Sequence, residues 1–329
     1  MVLEPLTVRR GGKVLLMPWV VGIDEAGYGP NLGPLVQAAI ALRLPESDPA
    51  GWDTLKSVVR RAHEKPDGRV LIDDSKKVYT RGGLEALERG VWAISGAEPA
   101  RVHDYLWHGD ELPLWGEHLR AEFWFDGDDL LPFHIDAETE WAASEPLRAA
   151  LNESWTGDYR IVPTPRFNQI VDGSGSKATV LSCGLIDLIE SVTAALPDDG
   201  EPLLILCDKQ GGRNFYSAIV QASLPTGWVV TEREGAAESR YRVENLSRPV
   251  TVVFRPRADG DSVAVALASM LCKYLREMCM RQFNRFWAAR VPGLAPTAGY
   301  PVDAKRFYAA IQPTMARLGL TADQVWRKK

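Results

Sequence analysis

Residues 22–36 read Gly22-Ile23-Asp24-Glu25-Ala26-Gly27-Tyr28-Gly29-Pro30-Asn31-Leu32-Gly33-Pro34-Leu35-Val36, and their reading decides the fold. An apolar run, Val14 to Ile23, leads straight into two adjacent carboxylates, Asp24 and Glu25. A Gly-rich turn follows, then a second apolar run from Leu35 to Leu42. The pattern predicts strand, acidic pair, tight turn, strand. Two carboxylates at a strand end, beside glycines that let backbone approach a ligand, suit a hard divalent cation facing a phosphate. A polar turn with both carboxylates solvated accounts for this stretch alone equally well.

Further segments shift that balance. Residues 73–77 read Asp73-Asp74-Ser75-Lys76-Lys77. Leu203 to Cys207 is a buried-type strand that ends on Asp208. Residues 257–273 carry Arg257-Ala258-Asp259, then Ala268-Ser269-Met270-Leu271-Cys272-Lys273. Gly299-Tyr300-Pro301 follows near the end. In this order the pieces resemble the type 2 ribonuclease H family, bacterial and archaeal ribonuclease HII. That family opens on Gly-Ile-Asp-Glu-Ala-Gly-Arg-Gly-Pro, then shows Asp-Ser-Lys-Lys, a strand ending in Asp, Lys-Ala-Asp before a helix with Ala-Ser-Ile-Leu-Ala-Lys, and Gly-Tyr-Pro or Gly-Tyr-Gly. The resemblance covers roughly residues 14–95 and 160–312. Any one motif is weak; five in order, with matching spacing from Asp259 to Ser269 and Lys273, are specific.

The resemblance implies an α/β ribonuclease H-like fold, a mixed central sheet flanked by helices. It also implies a catalytic and metal-binding set of Asp24, Glu25, Asp208 and Asp259. Four carboxylates brought together would repel one another, and divalent cations neutralise such a cluster. Two Mg²⁺ or Mn²⁺ ions about 4 Å apart serve in-line displacement at phosphorus without a covalent nucleophile. The implied activity is hydrolysis of the RNA strand of RNA–DNA hybrids. Gly27, Tyr28, Gly29, Lys76, Lys77, Ser269, Lys273 and Tyr300 fall at substrate-contact positions, with Tyr300 matching a tyrosine that stacks on the junction sugar. One departure stands out. The family's turn reads Gly-Arg-Gly, and here it is Gly27-Tyr28-Gly29. Tyr supplies neither the charge nor the donor fork of a guanidinium, which puts the preference for single embedded ribonucleotides in question. A nuclease of altered substrate, or a non-catalytic binding paralogue, are the alternatives; retention of all four acids argues against the second. Asp74 and Ser75 also suit helix capping.

At 329 residues, 46% hydrophobic and 25% charged, the chain is ordinary for a globular protein, with length for one to three domains. A single domain with one insertion is expected. Val14 to Ile23 is too short to span a bilayer and is interrupted by Pro18 and Gly22. No small-residue cleavage site follows it, so it reads as the first strand rather than a leader. Cys183, Cys207, Cys272 and Cys279 lie in apolar segments without metal-ligand spacing and read as reduced core residues of a cytoplasmic protein. The net charge of −5 is unevenly spread: residues 98–158 carry −12, leaving +7 on the remainder. A basic body suits binding of a phosphate backbone, hence a nucleic-acid partner and no membrane.

Residues 98–158 mark themselves as an acidic, aromatic-rich inserted segment, with five of eleven tryptophans and four of five histidines. It is expected to pack separately, away from the acids, and to offer a surface to a protein partner. His103, His108, His118 and His134 fit no ligand spacing. Elsewhere the periodicity predicts a helix after Thr80, helices near 176–196 and 211–222, strands at 203–207, 228–231 and 251–254, and a long helix near 261–289. Arg255, Arg257, Lys273, Arg276, Arg281 and Arg285, on or just before that helix, suggest a phosphate-facing stripe. Gly173-Ser174-Gly175-Ser176-Lys177 resembles a phosphate loop but lacks the glycine before lysine, and reads as a helix start.

Overall fold

The computed structural model describes residues 8–10, 13–15, 17–96, 98–106, 114–152 and 154–328. The run from Val14 is not one strand. Lys13–Leu15 pairs with Val8–Arg10, and Leu16 lies outside the described residues. Proline has no N–H to give a ladder, and the first central strand, β1, starts after Pro18 and spans Trp19–Ala26.

The central sheet has seven strands: β1, β2 (Leu35–Arg43), β3 (Trp155–Val162), β4 (Leu203–Asp208), β5 (Trp228–Arg233), β6 (Ser239–Glu244) and β7 (Val250–Arg255). Its order is β5-β6-β7-β4-β1-β2-β3. β4 runs parallel to both β1 and β7, whereas β2 is antiparallel to β1 and to β3. The five strands from β3 to β7 thus have the order three-two-one-four-five with only the second reversed, the ribonuclease H-like arrangement.

β1 and β2 are buried on both faces, so they read as unbroken apolar runs rather than alternating ones. Val20, Val36, Ala38, Ile40 and Leu42 face one core with α1 (Ser75–Ser95) and α4 (Val263–Ala288). Trp19, Val21, Ile23, Ala39 and Ala41 face the other, with Leu185, Leu188, Ile189 and Val192 of α3 (Lys177–Ala195). α2 (Thr164–Ser174) precedes α3, and α5 (Pro301–Leu318) closes a third cluster around Phe283, Trp287 and Phe307. α3 alone among the described residues is long and apolar enough to cross a membrane, by length and composition only, and its core-facing side lies on the sheet. At Gly22 a Cβ would lie 2.1 Å from the backbone of Ala264 and Val265. That contact seats the start of α4 directly on β1, two residues before Asp24.

Several expectations need correction. The inserted segment does not pack separately: Val102, Leu106, Leu119, Leu131, Leu147 and Leu151 belong to the main core, and Trp124 joins the third cluster. Its last residues, Trp155 to Asp158, are already β3, which pairs with β2. Ser75–Ser95 is two helical pieces broken at Gly82 and Gly83, which leave the helical φ/ψ region. The helix predicted after Thr80 is the second piece, but Thr80 is not its cap, because its hydroxyl donates to the Lys76 carbonyl within the first piece, where the Asp74 side chain accepts from the Lys76 amide. The helix read over 211–222 is confined to Ser217–Ser223, because Gly211 and Gly212 both take positive φ. Residues 173–177 end one helix and cap the next, with Gly175 as the C-cap and Ser176 as the N-cap. Cys183 is exposed, while the other three cysteines are buried. His108 lies outside the described residues.

Candidate active site

Three chain segments deliver the acids. Asp24 and Glu25 end β1, Asp208 ends β4 beside it, and Asp259 sits in the turn between β7 and α4. Adjacent parallel strands place their C-terminal ends together, and the α4 start rests on β1, so all four carboxylates line one cavity of about 240 Å³. Backbone amides orient two of them. Asp24 Oδ1 accepts from the Glu25 amide at 2.8 Å, and Asp208 Oδ1 accepts from the Ala258 amide at 3.1 Å.

The electrostatics are those of an uncompensated cluster. Burial, aided by repulsion from Asp208 and Asp259, pushes Asp24 up to about 8, although the Ser269 hydroxyl and the Glu25 amide pull against it. Burial and then Asp24 hold Glu25 well above the usual carboxylate range. Burial also raises Asp208, against three backbone amides, and lifts Asp259 to about 6 with help from Asp74 and Asp208. Lys76 is the cation that opposes these shifts at Glu25, Asp208 and Asp259. An all-oxygen donor set of this charge fits a hard cation such as Mg²⁺ or Mn²⁺. Among the described residues, however, no three His, Cys, Asp or Glu side chains are drawn up tightly into a ready metal cage.

The remaining candidates divide. Gly27, Tyr28, Lys76, Ser269, Lys273 and Tyr300 line the same cavity, together with Ser75 and Arg276. Gly29 does not, and is exposed behind the Tyr300 ring. Lys77 turns away to Asp73 at 3.2 Å and borders a separate surface hollow with His63 and Arg81. Lys273 is paired with Glu277 at 2.5 Å. The phosphate-facing stripe on α4 dissolves on inspection of its partners: Arg255 pairs with Glu238, Arg285 with Asp126 and Asp129, and Arg281 covers Phe133. Arg276 is buried and donates to the carbonyls of Leu32 and Ala298.

The turn itself is over-determined. Gly27 has φ of 90°, and a Cβ there would meet Arg276 and the Pro34 carbonyl at 2.6 Å. The Asn31 and Leu32 amides donate to the Gly299 carbonyl, which ties Tyr300 to the turn. Arg327, buried near the chain end, donates to the carbonyls of Gly27, Tyr28 and Pro30. Sequence reasoning missed Arg327 altogether, because a basic terminal Trp326-Arg327-Lys328-Lys329 reads as a solvated tail.

A three-two-one-four-five sheet with only the second strand reversed is a ribonuclease H-like fold, and the four carboxylates lie at its strand ends. No family model matches the chain. A ribonuclease HII from Rhizorhabdus wittichii is 32% identical over 140 residues, which cover 38% of this chain and 64% of that protein. A ribonuclease HII from Sphingopyxis alaskensis is 33% identical over 114 residues, 31% of this chain and 54% of the relative. The chain thus spans less than two thirds of the length of these curated relatives. Among solved structures, a chain from the PCNA:RNase HII complex of Archaeoglobus fulgidus is 15% identical, with 95% of each chain covered and a TM-score of 0.41. The ribonuclease H2 of Pyrococcus horikoshii is 14% identical, with 93% and 92% covered and a TM-score of 0.43. By its motifs and these sequence matches, part of the chain is similar to ribonuclease HII.

Proposed function

We propose that the chain is a metal-dependent endonuclease that hydrolyses the RNA strand of RNA–DNA hybrids. One observation carries this reading. Asp24, Glu25, Asp208 and Asp259 share a cavity in which no arginine pairs with any of them among the described residues. Keeping buried carboxylates without countercharge costs stability, and functional sites are where that cost is kept. These four side chains would hold the divalent ions, which when bound supply Lewis-acid stabilisation of charge at the scissile phosphate.

The chain's own residues do the rest. Lys76 presents an ammonium at the cavity wall, placed to meet a phosphate oxygen. Tyr300, about half exposed at the cavity rim, offers its ring face to a sugar. The Ala258 amide fixes the direction of Asp208, and the Ser269 hydroxyl steadies Asp24. No described residue of the 98–158 segment lines the cavity, so the segment enters this scheme as a wall of the core.

The reading is tested with purified protein and Mg²⁺ or Mn²⁺ on three substrates: a continuous hybrid, a DNA duplex with one ribonucleotide, and plain DNA. Cleavage of the hybrid alone or of both RNA-containing substrates is expected. Cleavage of plain DNA at the same rate, or of nothing, overturns it. Tyr28 supports one narrower variant, in which the continuous hybrid is preferred over the single ribonucleotide.

A further inference from the structure

The Gly27–Pro30 turn is surrounded by cations that come from other parts of the chain. Lys177 Nζ, at the first position of α3, lies 4.5 Å from the centroid of the Tyr28 ring. Arg213, from the loop after β4, acts electrostatically on the Tyr28 hydroxyl and is anchored by donating to Ser182 Oγ at 2.8 Å. The backbone of that loop closes on the same ring: a Cβ on Gly211 would stand 3.6 Å from Tyr28 Cε1. Neither Lys177 nor Arg213 has a carboxylate partner among the described residues. Beneath them, Arg276 and Arg327 are both about 1% exposed, and Nε of the first and Nη1 of the second have no hydrogen-bond partner.

Four cations around one uncharged turn repel each other, and among the described residues no carboxylate forms an ion pair with Lys177 or Arg213. Such charge is ordinarily paired or scattered. Here it is gathered beside a cavity that Tyr28 lines together with Asp24 and Glu25. Resting on the nuclease reading, we propose that Lys177, Arg213 and the Tyr28 hydroxyl form a subsite for a backbone phosphate of the bound nucleic acid, one step along the strand from the acids. A phosphate there is the missing countercharge. Arg213 brings a fixed planar fork, Lys177 a mobile point charge, and the tyrosine a neutral donor. Lys76 lines the cavity too, and it also borders the neighbouring surface hollow together with Arg81.

The test reads binding rather than cutting. A fluorescein-labelled 20-base-pair DNA duplex is titrated with full-length protein in EDTA over a series of salt concentrations. Loss of each phosphate contact lowers the slope of log K against log salt by roughly 0.9. Lys177→Ala/Arg213→Ala is therefore expected to lose about 1–2 units of slope and to bind on the order of tenfold more weakly at low salt. The charge-keeping pair Lys177→Arg/Arg213→Lys should keep the wild-type slope. Arg290→Ala is the control, since position 290 lies about 20 Å from Arg276 at 1.5 Å per helical residue; its slope should not move. An unchanged slope in the double alanine variant, or an equal loss in the charge-keeping pair, overturns the subsite. This outcome is separable from the fate of the nuclease reading. A chain that cuts hybrids but shows no slope change loses only the subsite. A chain that shows the slope change but cuts nothing keeps the subsite and loses the nuclease.

Discussion

Two regions of the molecule are rich in acids and treat them in opposite ways. In the 98–158 segment several carboxylates are paired with arginines. Asp126 and Asp129 meet Arg285 of α4 at 2.8 and 2.7 Å, Glu140 meets Arg89 of α1 at 2.5 Å, and Asp128 meets Arg101 of the segment itself at 3.1 Å. In the cavity at the strand ends, backbone amides orient Asp24 and Asp208, and all four acids, Asp24, Glu25, Asp208 and Asp259, are pushed up in pKa. Paired acids dock one piece of chain on another. Unpaired buried acids oppose folding and persist for what they bind. The segment's net −12 is thus partly spent against the basic residues of α1 and α4, and it says little about the field at the cavity.

The strongest way to break this contrast is to neutralise a cavity acid. Asp24→Asn or Asp208→Asn should reduce hybrid cleavage by about 10³-fold or more, the scale expected when a group that stabilises developing charge is removed. The same variants should melt at or above the wild-type temperature without metal, because each deletes a charge that its neighbours and burial oppose. Cleavage at saturating metal and thermal melting in EDTA are the measurements. Wild-type cleavage in both variants, or a steep loss of stability, would show that these acids are structural after all.

Glu122 sharpens the comparison from within the other region. It is buried in the inserted segment, yet it has no arginine, and burial pushes it up to about 8 despite hydrogen bonds from the Trp124 indole and the Thr164 amide. A carboxyl raised from 4.5 to about 8 holds its proton more tightly in the folded state. Stability is therefore full below pH 4.5 for this group, falls as pH climbs, and reaches its floor above pH 8. Glu122→Gln keeps an acceptor for Trp124 and removes the titration. It should stabilise the protein at pH 8 by roughly 2–4 kcal/mol and by almost nothing at pH 4.5, read from urea unfolding at the two pH values. Equal effects at both would place the origin in packing instead.

Much of the site was legible because chemistry leaves short motifs. Asp24-Glu25, Asp208 and Asp259 could be marked because their motifs, in order, resemble those of the type 2 ribonuclease H family, and the glycines of the turn because the same motif carries them. What stayed hidden depends on long-range partners. Nothing in the sequence says that Lys77 bends to Asp73, that Arg285 is taken up by Asp126 and Asp129, or that Arg327 reaches back about 300 positions to hold the Gly27 carbonyl. In the fold, β1, β2, β4 and β7 were visible as apolar runs. β6 was missed because Ser239–Glu244 alternates polar residues with Tyr241 and Val243, and buries only one set. The inserted segment was misjudged because aromatic content signals burial without saying against what.

Tyr28→Arg would carry a guanidinium into the unpaired region. The Tyr28 hydroxyl already interacts electrostatically with Glu25, so an arginine there should draw the Glu25 carboxyl down, while Lys177, Arg213 and Arg327 oppose the added charge. It should also raise the cleavage of single-ribonucleotide duplex relative to continuous hybrid by a few-fold, since a planar charged donor would join two unchanged glycines. A ratio that does not rise removes position 28 as the discriminator.

The smallest effect is expected where the acids are paired. Arg285→Ala removes the partner of Asp126 and Asp129, of which Arg285 and Asp126 are about half exposed and Asp129 is largely buried, with Gln282 still donating to it. The freed Asp126 recovers its hydration, and Gln282 still holds the segment by donating to the Asp126 carbonyl at 2.6 Å. The cost should be about 0.5–1 kcal/mol at low salt and should shrink in molar salt, as for any exposed pair. Hybrid cleavage should stay within about twofold of wild type, because no described residue of the segment lines the cavity. Melting at two salt concentrations and the cleavage rate measure this together. A salt-independent loss above roughly 2 kcal/mol, or a tenfold fall in cleavage, would mean that the docking of the segment on α4 is transmitted to Asp259 and the start of that helix, and the two regions would have to be treated as one.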